Sequence, residues 1–156
     1  MALAPQEIRT FFVTSVTDGR RALLQSERMA KLLIDVMREN RRKGRFSIHE
    51  FVIMPNHFHL LITPAEAVSL EKAIQFIKGG FSYRVKKELD LNFEIWEKGP
   101  TNHRIRDTED YGQHRDYIHQ NPVKAKLVEN PELFPYSSAY PGMDVDAAPP
   151  WLKPKK

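Results

Sequence analysis

An antiparallel β-sheet with two helices on one face and a further helix on the other, an α+β fold, is what this sequence predicts. Two observations carry that reading. Apolar side chains recur with period two in short segments and with periods of three and four in longer ones, in the order strand, helix, strand, strand, helix, strand, helix. The first six elements make a β-α-β-β-α-β unit, whose strands pair antiparallel and whose helices share one side, leaving the other face free for the third helix. A chain of 156 residues, 41% hydrophobic, also supplies enough apolar surface for one core of ordinary size.

Arg9–Thr17 is rich in β-branched and aromatic residues and closes on Asp18-Gly19, so it reads as the first strand. Ser26 caps a helix to about Lys43: Met29, Leu32, Leu33, Val36 and Met37 recur at helical spacing, and Gly44 stops it. Phe46–Met54 and His57–Thr63 are two strands joined at the turn pair Pro55-Asn56. Ser69 opens a second helix to about Leu89, with Leu70, Ile74, Ile77, Phe81 and Val85 as its apolar stripe. Phe93–Trp96 and His103–Arg106 read as short strand pieces on either side of Gly99-Pro100. Asp107 or Thr108 caps the third helix, which is expected to end near Asn121 because a proline disfavours helical geometry in the residue before it. From about Pro141 the chain is Pro-rich and ends in lysines. The expected division is a domain over 1–143 and a flexible tail over 144–156.

Composition narrows the chemistry. With no cysteine there is no disulfide framework, Cys-ligated zinc, iron–sulfur cluster or thiol nucleophile. A net charge of +4 is compatible with a nucleic-acid partner without demanding one. The first residues lack a signal-peptide pattern, and no apolar run approaches the roughly 20 residues a membrane helix needs. A cytoplasmic protein with no membrane partner is the expectation.

Strand side chains alternate, so His57 and His59 share one face while Phe58, Leu60 and Ile62 share the other. The apolar set must face the two core helices, which sends both imidazoles to the free face. Two histidines so placed either converge on one metal ion or sit half-exposed on a polar surface. On the third helix Gln113, Tyr117 and Asn121 fall on one stripe, beside a stripe of Tyr111, His114 and Ile118. Tyr117 reads as a nucleophile with Asn121 as a third ligand, or else as a packing residue with Asn121 at the helix end. A phenol is a weak nucleophile at neutral pH, and a divalent cation on His57, His59 and Asn121 would leave positions open for the oxygens of a phosphodiester. Mixed imidazole and carbonyl donors suit Mn²⁺ and tolerate Mg²⁺.

The run Val52-Ile53-Met54-Pro55-Asn56-His57-Phe58-His59-Leu60-Leu61-Ile62 resembles the His-hydrophobe-His (HUH) motif of IS200-like single-tyrosine transposases. The run Asp116-Tyr117-Ile118-His119-Gln120-Asn121-Pro122-Val123-Lys124-Ala125 is similar to the tyrosine motif of their REP-associated branch, as is Phe134-Pro135-Tyr136-Ser137-Ser138-Ala139-Tyr140. The resemblance spans about residues 8–143. It implies a ferredoxin-like HUH nuclease that cuts single-stranded DNA beside a hairpin, with Tyr117 as nucleophile, His57 and His59 as metal ligands, and a cofactor of Mg²⁺ or Mn²⁺. The third ligand of insertion-sequence members is usually glutamine, where this chain has Asn121, as in the REP-associated type. Insertion-sequence members work as dimers with the tyrosine helix supplied in trans, whereas REP-associated members can act as monomers, so a homodimer and a single chain both stay open. A bacterial, nucleoid-associated location goes with such a substrate.

Basic residues mark the expected DNA surface. Arg38, Arg41, Arg42, Lys43 and Arg45 are the densest cluster and would hold hairpin phosphates, with His103, Arg104, Arg106 and Lys124 lining the cleft. Two competing readings are a catalytically idle hairpin-binding regulator and a small zinc hydrolase. The intact His57, His59 and Tyr117 speak against the first, and the lack of an acidic base beside the histidines speaks against the second.

Overall fold

The computed structural model describes residues 8–156 and contains a four-stranded antiparallel sheet. In chain order the elements are β1 (Phe11–Val16), α1 (Glu27–Arg42), β2 (Phe46–Met54), β3 (His57–Pro64), α2 (Leu70–Leu89), β4 (Thr101–Arg104) and α3 (Thr108–Lys124). The strand order is β2-β3-β1-β4, the α+β arrangement expected from the element pattern.

The helices begin where side chains can take up free backbone N–H groups. Ser26 accepts from Met29 N, Ser69 from Lys72 N and Asp107 from Asp110 N. Strand alternation then divides the apolar residues between two layers. Val13, Phe58, Leu60 and Ile62 join Leu33, Val36, Ile77 and Phe81 between the sheet and the pair α1–α2. Val52, Met54 and Leu61 join Tyr111, Ile118 and Phe134 between the sheet and α3. The two core helices approach closely at Gly80, where a Cβ would stand 3.0 Å from Val36 Cγ1.

Three local expectations are corrected. Phe93–Trp96 does not form a strand; Trp96 makes one isolated bridge to Thr17, and its indole N–H donates to Lys78 O at 3.1 Å. The last strand is Thr101–Arg104 rather than His103–Arg106, because its partner β1 is itself only six residues long and pairs Phe11 with Arg104. The third helix runs through the proline to Lys124. Pro122 is buried and lies in the last turn, where the missing N–H costs one bond, and Ala125 N and Leu127 N donate onward to Asn121 O and Pro122 O at 3.1 and 2.9 Å.

After α3 the chain returns along β2. Ile53 N donates to Tyr136 O at 2.8 Å, Ser138 N to Phe51 O at 2.9 Å and Asp146 N to Ile48 O at 2.8 Å. Asp146 also takes a forked pair from Arg41 at 3.0 and 3.1 Å. Further on, Thr108 N, at the start of α3, donates to Lys153 O at 3.0 Å. The contacts of Asp146 and Lys153 lie beyond the division expected at residue 143 and join that segment to β2, α1 and α3. Among the described residues no helix is long and apolar enough to cross a membrane.

Candidate active site

The site lies between the sheet and α3, and β1 organises it. Thr14 stands directly across from His59 in the β1–β3 ladder, and its Oγ1 is 2.8 Å from His59 Nδ1. With Nδ1–H donating to that hydroxyl, the other ring nitrogen keeps its lone pair. His59 Nε2 is buried and has no hydrogen-bond partner. Burial and the neighbouring His57 depress the proton affinity of His59, bringing its pKa to about 3; at neutral pH the ring is the neutral base a metal requires. Burial lowers the His57 pKa as well, partly offset by a hydrogen bond to Asn121, whose side-chain oxygen favours the protonated ring. His57 Nδ1 is 2.7 Å from Asn56 Oδ1, and the two imidazoles lie 4.8 Å apart at 72°. His57, His59 and Asn121 are therefore brought together, from a strand and a helix.

Tyr117 is 45% exposed, on the helix above. Its ring is edge-on to His59 at 5.2 Å and to Phe12 at 5.9 Å, and the Lys124 ammonium lies 5.8 Å from its centroid. The helix is seated by Tyr111 and Ile118 in the apolar layer, and by His119 Nε2 donating to Glu50 Oε1 at 2.6 Å. Glu50 shares its face with Val52 and Met54 by strand alternation, and the bulge between Ile48 and Glu50 is what sends the preceding Phe46 and Ile48 to the opposite core layer.

A second set of donors, His103, Asp110 and His114, could also hold a metal ion, with ligand atoms within 4.8 Å of one another. Asp110 is already well supplied with N–H groups: Oδ2 accepts from Arg106 N at 2.9 Å and His103 Nε2 at 2.8 Å, with Arg106 Nε at 3.4 Å. The His114 Nδ1–H donates to Asp110 O at 2.8 Å. An arginine on the same carboxylate opposes a cation there. The orphaned His59 nitrogen is the better fit.

The basic residues divide between two faces. His103 pairs with Phe12 and so faces the side of the histidines, where Arg106 at the exit of β4 and Lys124 on α3 also lie, whereas Arg104 pairs with Phe11 and alternates to the α1–α2 side, away from the cleft expected for it. Arg38, Arg41, Arg42, Lys43 and Arg45 lie at the end of α1, across the sheet from Tyr117. Arg41 is engaged by Asp144 and Asp146, Lys43 by Glu39 at 3.3 Å, and Arg45 lies over the Phe76 ring at 4.0 Å. Arg38 borders a groove between α1, α2 and residues 135–143. Only Arg42 of this cluster is both exposed and without an acidic or aromatic partner among the described residues.

Phe12, Thr14, Asp110 and His114 are not singled out by the sequence. Asp110 and His114 were legible as an i,i+4 pair. Phe12 and Thr14 acquire their meaning from the cross-strand register, which sequence spacing does not carry.

Paired histidines on a sheet, faced by a tyrosine helix, define the architecture of a single-tyrosine transposase, and residues 9–121 match the family described as Transposase IS200 like. A REP-associated tyrosine transposase of Escherichia coli (strain K12) is 30% identical over 129 residues, covering 82% of this chain and 74% of that protein. A solved structure of a REP-associated tyrosine transposase bound to a REP hairpin superposes with a TM-score of 0.70 at 27% identity, covering 95% of this chain and 92% of the other. The chain belongs to the IS200-like transposases and, within them, to the REP-associated tyrosine transposases, enzymes of DNA cleavage and rejoining.

Proposed function

We propose that the chain is a divalent-metal-dependent endonuclease and strand transferase that cuts single-stranded DNA next to a hairpin through a 5′-phosphotyrosine. The observation that carries this reading is the Tyr117 ring set edge-on against His59, whose free nitrogen is buried without a partner. The relative solved with a REP hairpin matches nearly the whole chain, which supports a palindrome-derived hairpin as the partner.

His57, His59 and Asn121 would hold the cation, and Mg²⁺ or Mn²⁺ supplies positive charge to the phosphate oxygens when bound. Thr14 fixes the His59 tautomer, so that Nε2 is the donor nitrogen. Tyr117 Oη forms a bond to phosphorus and gives up its proton. The P–O3′ bond breaks, and the departing 3′-oxygen takes a proton to become a hydroxyl. One phosphodiester is exchanged for another, so a second 3′-hydroxyl can reverse the step and release Tyr117 without an external energy source. Lys124 presents its charge to the tyrosine ring, while His103 and Arg106 flank the same side for the entering strand. Tyr117 meets the histidines of its own chain, which supports catalysis by a single copy. A substrate of this kind lies in the bacterial cytoplasm, at the nucleoid.

Tyr117→Phe tests the reading. It removes one hydroxyl and keeps the ring contacts, so hairpin binding stays near wild type while the covalent DNA adduct, cleavage and strand transfer are lost. EDTA abolishes the same three activities. An adduct formed by Tyr117→Phe refutes the assignment; a wild type that binds hairpins and forms no adduct with Mg²⁺ or Mn²⁺ is a regulator instead.

A further inference from the structure

We propose that Phe12 is a positioning residue of the cleavage reaction, the surface against which the tyrosine and the buried histidine are both set, and that Asp110 steadies it through His114. The inference rests on the reading of Tyr117 as nucleophile and His59 as ligand. Phe12 is the second residue of β1, between Leu61 of β3 and His103 of β4, and shares its face with Thr14. Its ring stacks on His59 at 5.2 Å and 20° and meets Tyr117 edge-on at 5.9 Å and 78°. His59 and Tyr117 are themselves 5.2 Å apart, so the three rings close a triangle in which turning any one ring breaks two contacts.

The remaining side of Phe12 is taken by His114, at 4.7 Å and 48°. His114 stacks on His103 at 4.8 Å and 19°, and both imidazoles meet the Asp110 carboxylate, at 3.2 and 2.8 Å. The Asp110 side chain is only 3% exposed and also receives Arg106 N. A buried carboxylate in α3 thus fixes a stacked imidazole pair, and that pair fixes the ring beneath the nucleophile. Tyr117 needs such support because it is half exposed, and the contacts that hold its ring are those with Phe12, His59 and Lys124. In-line attack tolerates only small errors in the position of the attacking oxygen. Phe12 packs beneath α3 rather than on the basic surface, so its removal acts on the chemical step and not on hairpin capture.

The test compares full-length wild type, Phe12→Leu, Phe12→Tyr, Asp110→Asn and Tyr117→Phe on a hairpin oligonucleotide with a single-stranded flank in Mn²⁺. The readouts are the single-turnover rate of adduct formation at saturating DNA and metal, and the hairpin Kd. Leucine restores apolar volume without a ring, whereas tyrosine restores the ring. Phe12→Leu is expected to slow the adduct on the order of 10-fold with hairpin Kd within about twofold, Phe12→Tyr to stay within about threefold of wild type, and Asp110→Asn to slow the rate at saturating DNA roughly threefold. A wild-type rate in Phe12→Leu, or equal slowing by leucine and tyrosine, overturns the inference. If Phe12→Leu does not fold, Asp110→Asn decides, and a wild-type rate there overturns it. An adduct in wild type and none in Tyr117→Phe upholds the underlying reading whichever way Phe12 falls; an adduct from Tyr117→Phe brings down both.

Discussion

Replacing Thr14 with valine probes the metal site without touching a ligand. The substitution keeps shape and β-branching and removes the hydroxyl 2.8 Å from His59 Nδ1. His59 is 4% exposed, so water does not substitute for the lost partner. A buried donor left unsatisfied costs about 1–3 kcal/mol. At roughly 2–4 °C per kcal/mol for a chain of this size, the metal-free protein should melt several degrees lower. The same bond orients the imidazole and raises its basicity. Losing a partner of this kind weakens metal binding about 10–100-fold, or about 1.4–2.7 kcal/mol, which agrees with the cost of the hydrogen bond. The assay is the Mn²⁺ concentration that gives half-maximal adduct formation, with hairpin Kd measured in parallel and Thr14→Ser as the restoring variant. Valine should raise the half-saturating concentration by at least tenfold at unchanged hairpin affinity, and serine should recover most of it. Equal half-saturation in wild type and Thr14→Val would refute the assignment of Nε2 as the metal-binding nitrogen.

Burial lowers the pKa of His49 below its usual 6.5, so below that pH the unfolded chain binds a proton that the folded chain refuses. Stability is full above about 6.5 and falls as the pH drops toward the folded value, by up to ~1.36 kcal/mol per pH unit; His49→Gln should show a shallower dependence between pH 7 and 5 in urea melts, and an equal slope would exclude the cause. Asp146→Asn removes the charge from the Arg41 fork at a partly exposed site and should cost about 1 kcal/mol, with faster amide exchange at Ile48 and Asp146. Gly79→Ala meets nothing within 4 Å and should stabilise α2 by about 0.5–1 kcal/mol, whereas Gly80→Ala drives a Cβ to 3.0 Å from Val36 and should gain nothing or lose stability; equal melting shifts for the pair would contradict the close helix approach.

How far the sequence could be read follows from the range of each interaction. The helix starts at Ser26, Ser69 and Asp107 are local hydrogen bonds, and the division of Phe58 and His59 between faces is simple alternation; both are visible in a few residues. Pro122 misleads because the local penalty at the preceding residue is outweighed by burial in the last turn of α3. Arg41 misleads for a different reason. Its charge is legible, but the carboxylates that neutralise it stand at 144 and 146, a separation that only the folded chain removes. The histidines and the tyrosine were legible as motif and stripe, while Phe12 and Thr14 depend on which residues of β1 face β3. The bulge at His49 decides that Phe46 and Ile48 face α1–α2 while Glu50 and Val52 face α3, and no residue type in that stretch announces it.

The returning segment has a consequence for how the molecule avoids its own kind. β2 is the outermost strand on its side of the sheet, nine residues long and largely buried. Its outward N–H and C=O groups at Ile48, Phe51 and Ile53 are taken by Asp146, Ser138 and Tyr136. Without them this border would be a long apolar template open to the same strand of another copy. The opposite border, β4, is four residues long and largely exposed, a poor template for templated pairing. Residues 136–146 therefore work as a selvedge, and a truncation upstream of them trades an intramolecular hem for sheet-to-sheet self-association, visible as concentration-dependent light scattering.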